Sequence, residues 1–116
     1  MSKPLGPYTP IIRAGDFIIV SGQGGLVDGT KVDGGLVAET KQTMKNIESL
    51  LATMDATMDD VVKTTCFLTD MEDYAAFNEH YVAAFGKHRP SRSCVAVAAL
   101  PANFVVEVEA WAYKPA

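Results

Sequence analysis

The spacing of apolar residues changes along this chain between a helical and an extended period, and this change limits the folds open to it. Between positions 37 and 54 the apolar or β-branched residues recur every three or four positions, while Glu39 falls between them. This spacing predicts an amphipathic helix that buries one stripe and exposes Glu39. The stripe consists of Val37, Thr40, Met44, Ile47, Leu51 and Met54.

A second helix follows a continuous apolar run. Residues 61–68 are apolar or β-branched at nearly every position, which predicts a central strand. Asp70 is a suitable N-cap for the helix after it, and Gly86 a suitable stop. The apolar stripe of this helix consists of Tyr74, Phe77, Tyr81 and Phe85, which we interpret as core.

The remaining segments read as strands. Residues 11–14 and 17–21 flank the two-residue turn Gly15-Asp16 and predict a hairpin. The turn Asp28-Gly29 after Leu26-Val27 indicates a short third strand or a glycine-rich loop. Two more strands are predicted at 91–97 and 105–113. The order β-β-(β)-α-β-α-β-β predicts an α+β fold in which one mixed β-sheet carries two helices on one face.

Two helices cover only one face of such a sheet, so the other face needs a partner. In the last strand Val106, Val108, Ala110 and Ala112 alternate with Glu107, Glu109, Trp111 and Tyr113. We expect the first set to meet the helices and the second to lie on the uncovered face, together with a cysteine. An apolar sheet face of this kind predicts a homo-oligomer.

Composition narrows the class of protein. The 116 residues, 48% of them hydrophobic, fit one domain, residues 1–116. A net charge of −4 and a pI near 5.0 favour neither nucleic acid nor an anionic membrane as partner. With no leader or membrane-spanning run we expect a cytoplasmic protein, with Cys66 and Cys94 as reduced thiols. His80 and His88 are wrongly spaced for a zinc site, and we expect no metal and no cofactor.

Short segments from almost the whole length of the chain form one recognisable pattern: GPY (6–8), VSGQ (20–23), DVVKT (60–64), FLTD (67–70), Asn78-Glu79 with Tyr81, Phe85-Gly86, RPSRSCVAV (89–97), LP (100–101) and VEVEA (106–110). Together they resemble the RidA (YjgF-type) family of enamine/imine deaminases. The resemblance implies a chorismate-mutase-like fold and a homotrimer whose clefts lie between subunits. It also implies hydrolysis of 2-iminobutanoate and 2-iminopropanoate to 2-keto acids and ammonia, with these small acids bound at the subunit interfaces.

The resemblance assigns the two catalytic positions to Arg92 and Glu107. A guanidinium matches a substrate carboxylate with two parallel hydrogen bonds, so Arg92 is expected to select and position a 2-imino acid. Imine hydrolysis also needs a proton moved from water to nitrogen, which a carboxylate such as Glu107 can do. Either residue could instead be a surface or interface charge, and sequence alone could confuse Glu107 with Glu109 two positions on.

Four further residues are implied to line the cleft. Tyr8 and Ser21 could hold the water or the imine nitrogen, and Gly22 offers backbone groups close to the ligand. Cys94 is implied to line the carboxylate pocket. No histidine is placed to activate its thiol, so a nucleophilic role is not favoured. A packing role for Tyr8 or Cys94 and a strand-end role for Ser21-Gly22 remain open.

The chain departs from the family pattern at a few positions. Pro10-Ile11 and Gln23-Gly24-Gly25 replace the usual residues there, and Ala99 stands where some relatives carry an arginine. These changes leave the size of the substrate open. A non-catalytic trimer that binds small carboxylic acids or a protein client is the main alternative. An RNA endonuclease or translation inhibitor fits the acidic charge poorly.

Overall fold

The computed structural model describes residues 4–116, in which five strands form one mixed sheet and two helices cover one of its faces. The elements are β1 (Ile11–Ala14), β2 (Phe17–Gln23), β3 (Leu26–Val27), β4 (Thr30–Lys31), α1 (Gly35–Ala52), β5 (Val61–Leu68), α2 (Tyr74–Phe85), β6 (Ser91–Ala96) and β7 (Val106–Tyr113). The large sheet has the order β1-β2-β7-β5-β6, while β3 and β4 form a separate hairpin. The predicted α+β fold is confirmed.

Strand direction follows from the connections. β5 and β6 are parallel, and α2 lies between them in sequence, as a parallel pair requires a crossover. β7 is central and runs antiparallel to both β2 and β5. β1 and β6 are therefore the two edge strands.

The core lies between the helices and one face of the sheet. In β7, Val106, Val108, Ala110 and Ala112 are fully buried, which confirms the predicted alternation. Ile47 and Leu51 of the α1 stripe are buried against them, but Val37 is 39% exposed. The prediction that Glu39 faces solvent is wrong, because Glu39 is only 2% exposed. The loop that holds Gly25 packs on this side of α1.

A short 3-10 turn separates the second helix from Asp70, the predicted N-cap. Asp70 caps a single 3-10 turn, Met71–Asp73, by accepting the backbone N–H of Glu72 at 2.9 Å. α2 then runs from Tyr74 to Phe85, and Gly86 ends it with a φ of 63°, as predicted. Tyr74 was expected in the core, but this prediction is wrong, because Tyr74 is 40% exposed.

The sheet face opposite the helices carries large apolar side chains. Trp111 and Tyr113 are 42% and 46% exposed, and both rings contact Phe17 edge to face, at centroid distances of 5.9 and 5.3 Å. Val95 of β6 lies on this open face as well. The cysteine expected there does not, because Cys94 pairs with buried Cys66 and packs against the core.

None of the helices within residues 4–116 is long and apolar enough to cross a membrane. The expectation that the chain has no leader rests partly on residues 1–3, which lie outside the described residues.

Candidate functional site

A cavity of about 410 Å³ lies where the end of β2 meets the N-terminal segment, α1 and the loop before β7. Four of the residues predicted to form the site line it: Tyr8, Ser21, Gly22 and Glu107. Arg92 and Cys94 are not among its lining residues. Within one protomer the predicted site is thus split into two parts.

A β-bulge brings the first part together. The register between β2 and β7 shifts between Val20 and Gln23, so that Ser21 and Gly22 face the single residue Glu109. The extra residue turns Gly22 against the neighbouring Glu107. A Cβ atom at Gly22 would lie 2.5 Å from Oε2 of Glu107, so only glycine lets the carboxylate lie here.

The surroundings of Glu107 shift its protonation equilibrium. Its carboxyl is half-buried at the cavity wall. Burial raises the pKa of Glu107, and the negative charge of Glu109 on the same strand face raises it further. A carboxyl with a raised pKa can both accept and return a proton nearer to neutral pH than an ordinary glutamate.

Ser21 and Tyr8 organise the N-terminal wall of the cavity. The Ser21 hydroxyl donates to the carbonyl of Thr9 at 2.6 Å, and its backbone N–H donates to Pro10 at 2.9 Å. Ser21 therefore holds the segment that carries Tyr8, and its oxygen can still accept hydrogen bonds. The Tyr8 ring is 43% exposed, and its oxygen accepts the backbone N–H of Leu5 at 3.2 Å.

Arg92 lies on the other face of the sheet. It pairs in register with buried Thr64, whereas Glu107 pairs with Phe67, whose side chain points to the opposite face. The guanidinium of Arg92 lies over three rings of α2, with centroid distances of 4.9 Å to Tyr81, 5.5 Å to Tyr74 and 5.9 Å to Phe77. These aromatic faces attract the cation and form a platform for it.

Two hydrogen bonds fix the plane of this guanidinium. One terminal nitrogen donates to Oδ1 of Asn78 at 2.8 Å, and the other donates to the hydroxyl of Tyr74 at 2.9 Å. A guanidinium has five N–H groups, so donors remain for a ligand carboxylate. Within the described part of the protomer, no carboxylate forms an ion pair with Arg92.

The sequence did not identify Tyr74 and Asn78 as the side chains that accept hydrogen bonds from Arg92. Both positions were noted, Tyr74 as core and Asn78 as part of a matching segment. Their spacing of four residues puts them on one face of α2, which was the available signal. What the sequence did not reveal is that this face lies over β6 at Arg92.

Cys94 is not an activated thiol. Burial raises the pKa of Cys94, and the nearby charge of Arg92 lowers it by less. Cys66, its neighbour on β5, has a pKa raised to about 12 by burial. Both thiols stay protonated at neutral pH, which agrees with the packing role left open for Cys94.

Residues 4–116 contain no group of three or more histidine, cysteine, aspartate or glutamate side chains that could hold a metal ion. His88 is instead hydrogen-bonded to the carbonyl of Val61 at 2.6 Å.

Comparison with known proteins decides the family. The family model described as Endoribonuclease L-PSP, which covers the RidA/YjgF family, matches residues 1–114. The chain belongs to this family.

Individual members of the RidA/YjgF family are similar over most of their length. A RutC family protein of Pyrococcus horikoshii is 40% identical over 97% of this chain and 90% of its own. The mouse protein named 2-iminobutanoate/2-iminopropanoate deaminase is 41% identical over 95% of this chain and 83% of its own. The crystal structure of RidA from an Antarctic Psychrobacter species superposes with a TM-score of 0.93 at 33% identity, covering 97% of this chain and 92% of the other.

The departures from the RidA/YjgF pattern fall partly on the cavity. Pro10 and Gly24 line it, whereas Ala99 lies on an exposed loop outside its lining. Gly24 and Gly25 both lie in close contact with other parts of the chain.

Proposed function

We propose that this chain is an enamine/imine deaminase, a hydrolase that converts 2-imino acids such as 2-iminobutanoate and 2-iminopropanoate to 2-keto acids and ammonia. The observation that carries the proposal is the half-buried Glu107 carboxyl, with its raised pKa, at the wall of the cavity. Membership in the RidA/YjgF family supports it, as does the name of the mouse relative.

The active form in this proposal is a homotrimer with a cleft between each pair of subunits. Each cleft joins Arg92 and Cys94 of one subunit to Tyr8, Ser21, Gly22 and Glu107 of its neighbour. The separation of these two sets on opposite sheet faces supports a shared cleft, because one protomer does not bring them together. The open face around Phe17, Trp111 and Tyr113 is apolar enough to be covered by a second copy.

In the reaction, Arg92 holds the substrate carboxylate with two hydrogen bonds and thereby fixes the imine carbon. Water adds to this carbon while Glu107 accepts one of its protons. Glu107 gives this proton to the nitrogen, which yields a carbinolamine. It then takes the proton of the carbinolamine hydroxyl and passes it to the amino nitrogen, so that the carbon–oxygen double bond forms as the carbon–nitrogen bond breaks, and ammonia and the 2-keto acid leave. Each turnover consumes one water and leaves Glu107 in its starting state.

A trimer that only binds small carboxylic acids would need Arg92 but would have no use for Glu107. RNA cleavage, the activity in the description of the family model, is less favoured for this chain. Its net charge is −4, and phosphate-backbone binding normally relies on a basic surface.

The proposal is tested by supplying an imine that an amino-acid oxidase generates in the assay and following release of the 2-keto acid. We expect the protein to accelerate release well above the rate in buffer, and to leave RNA intact under the same conditions. If keto-acid release proceeds at the buffer rate over a wide range of protein concentration, the chain is not a deaminase of these imines.

A further inference from the structure

The cavity next to Glu107 is larger and more apolar than an alanine-derived imine requires. Beyond Glu107 and Gly22 its walls include Leu26, Leu50 and Phe104, and the part of the cleft that one protomer forms has a volume of about 410 Å³, within the range of small-ligand sites. An imine derived from alanine carries a single methyl group and would leave most of this apolar space without contacts.

Phe104 packs against Gly24 and forms part of the cavity wall because residue 24 has no side chain. A Cβ atom at Gly24 would overlap the Phe104 ring, so the ring occupies the space that a larger residue 24 would fill. Phe104 is only 3% exposed, and its ring lines the cavity.

Hydrogen bonds to α1 hold both sides of this contact in place. The side-chain amide of Asn46 donates to the carbonyls of Gly24 and Leu26, each at 3.0 Å. The backbone N–H of Val105, next to Phe104, donates to the buried carboxylate of Glu39 at 2.9 Å. These bonds fix the backbone on both sides of the contact between Phe104 and Gly24, which favours a substrate that fills the space.

The loop that carries Gly24 and Gly25 also packs directly against α1. A Cβ atom at Gly25 would lie 2.9 Å from the Cα of Glu39, so the loop backbone packs directly on α1. Glu39, which the sequence pattern assigned to solvent, is thus part of the support of the cavity.

We propose that the preferred substrates of this chain are 2-imino acids with a large apolar side chain, such as those derived from leucine, and that Phe104 on Gly24 determines this preference. The inference rests on the proposed deaminase function. With the substrate carboxylate at Arg92 of a neighbouring subunit and the imine carbon near Glu107, the substrate side chain enters the space between Leu26, Leu50 and Phe104.

The test compares kcat/KM for imines generated in the same assay from leucine and from alanine. We expect the wild type to favour the leucine-derived imine by at least about tenfold, since apolar pockets discriminate one methylene by about that factor or more. Gly24→Ala pushes the Phe104 ring into the cavity and should reduce the ratio about tenfold, mainly through the leucine-derived imine. Phe104→Leu should shift the preference towards the larger phenylalanine-derived imine.

Val27→Ala is the matched control. Val27 follows Leu26 in the same hairpin but is 45% exposed and does not line the cavity, so its substitution should keep the wild-type ratio. Circular dichroism and the melting temperature of each variant show whether it is folded. Phe104→Leu removes side-chain volume from the cavity wall, so it still tests the substrate preference if Gly24→Ala does not fold.

The outcomes separate this inference from the function on which it rests. A wild type that hydrolyses the alanine-derived imine equally well or better, with a ratio that Phe104→Leu does not change, overturns the inference and keeps the deaminase. If no imine is hydrolysed, the deaminase proposal fails, and calorimetric titration with 4-methyl-2-oxopentanoate and pyruvate then tests the cavity alone. Tighter binding of 4-methyl-2-oxopentanoate supports the preference, and equal affinities contradict it.

Discussion

Substitution of Arg92 by alanine is expected to lower kcat/KM for imine hydrolysis by at least about two orders of magnitude. In the proposed mechanism the variant loses the paired hydrogen bonds to the substrate carboxylate and, with them, the position of the imine carbon relative to water. Arg92→Lys should recover little, because an ammonium on a flexible stem cannot reproduce a planar fork. The measurement is keto-acid release over a range of imine concentrations.

The contacts of Arg92 also predict a modest effect on stability. Its charge lies over the rings of Tyr74, Phe77 and Tyr81, and such contacts stabilise by about 0.5–1 kcal/mol at exposed sites. We therefore expect Arg92→Ala to lower the melting temperature slightly and to keep the oligomeric state of the wild type in sedimentation experiments. Arg13→Ala is the matched control, since Arg13 donates to two backbone carbonyls far from the cavity and should be dispensable for activity.

Two results would contradict the assignment of Arg92. One is a trimeric Arg92→Ala protein with wild-type turnover. The other is a variant that dissociates while the remaining trimer keeps its specific activity, which would make Arg92 an interface residue.

Glu107→Gln is expected to lower kcat about 10²- to 10⁴-fold, the usual contribution of a general acid–base. Glutamine has nearly the same shape but accepts no proton from water. Because the pKa of Glu107 is raised, its carboxylate form accumulates at higher pH than that of an ordinary glutamate. The wild-type rate should therefore rise with pH through this raised pKa. Activity in Glu107→Gln that equals the wild type at every pH would remove Glu107 from the mechanism.

The same substitution should not cost stability at neutral pH. A carboxyl whose pKa is higher in the folded than in the unfolded state binds its proton more tightly when folded. The free energy of unfolding is then highest below the unfolded pKa and falls as the pH rises through the folded pKa. Glu107→Gln removes this loss, so its melting temperature at pH 7 should equal or exceed that of the wild type. Glu109→Gln is the matched control for charge on this strand face, and it should keep most of the activity.

Local patterns were enough to predict the fold. The alternation in Val106–Tyr113 separates a buried from an uncovered face, and the helical spacing after position 37 identifies α1. The error at Glu39 has a physical cause: a loop from a distant part of the sequence packs on the side of α1 that its own residues mark as polar. Helical spacing carries no information about such a loop.

The sequence proposed a set of residues for the candidate site, but it did not predict how they are arranged. The resemblance identified Ser21, Gly22, Arg92 and Glu107 by position, yet it did not reveal the bulge that places Gly22 on Glu107. Nor did it reveal the platform under Arg92, which depends on how α2 crosses β6. Both features arise from register and packing between elements far apart in sequence.

The central claim is that Arg92 of one subunit and Glu107 of its neighbour serve the same cleft. Arg92→Ala and Glu107→Gln are each expected to be nearly inactive alone. Two differently tagged variants, unfolded together in equal amounts and refolded, should form mixed trimers in which about one cleft in three has both intact residues.

The decisive measurement is the imine hydrolase activity of the mixed trimers isolated through both tags. The shared cleft predicts recovery of a substantial fraction of wild-type activity, because an intact Arg92 on one chain meets an intact Glu107 on another. If the two residues acted within one protomer, no chain in the mixture would carry both. Mixed trimers with no more activity than either variant alone would contradict the account.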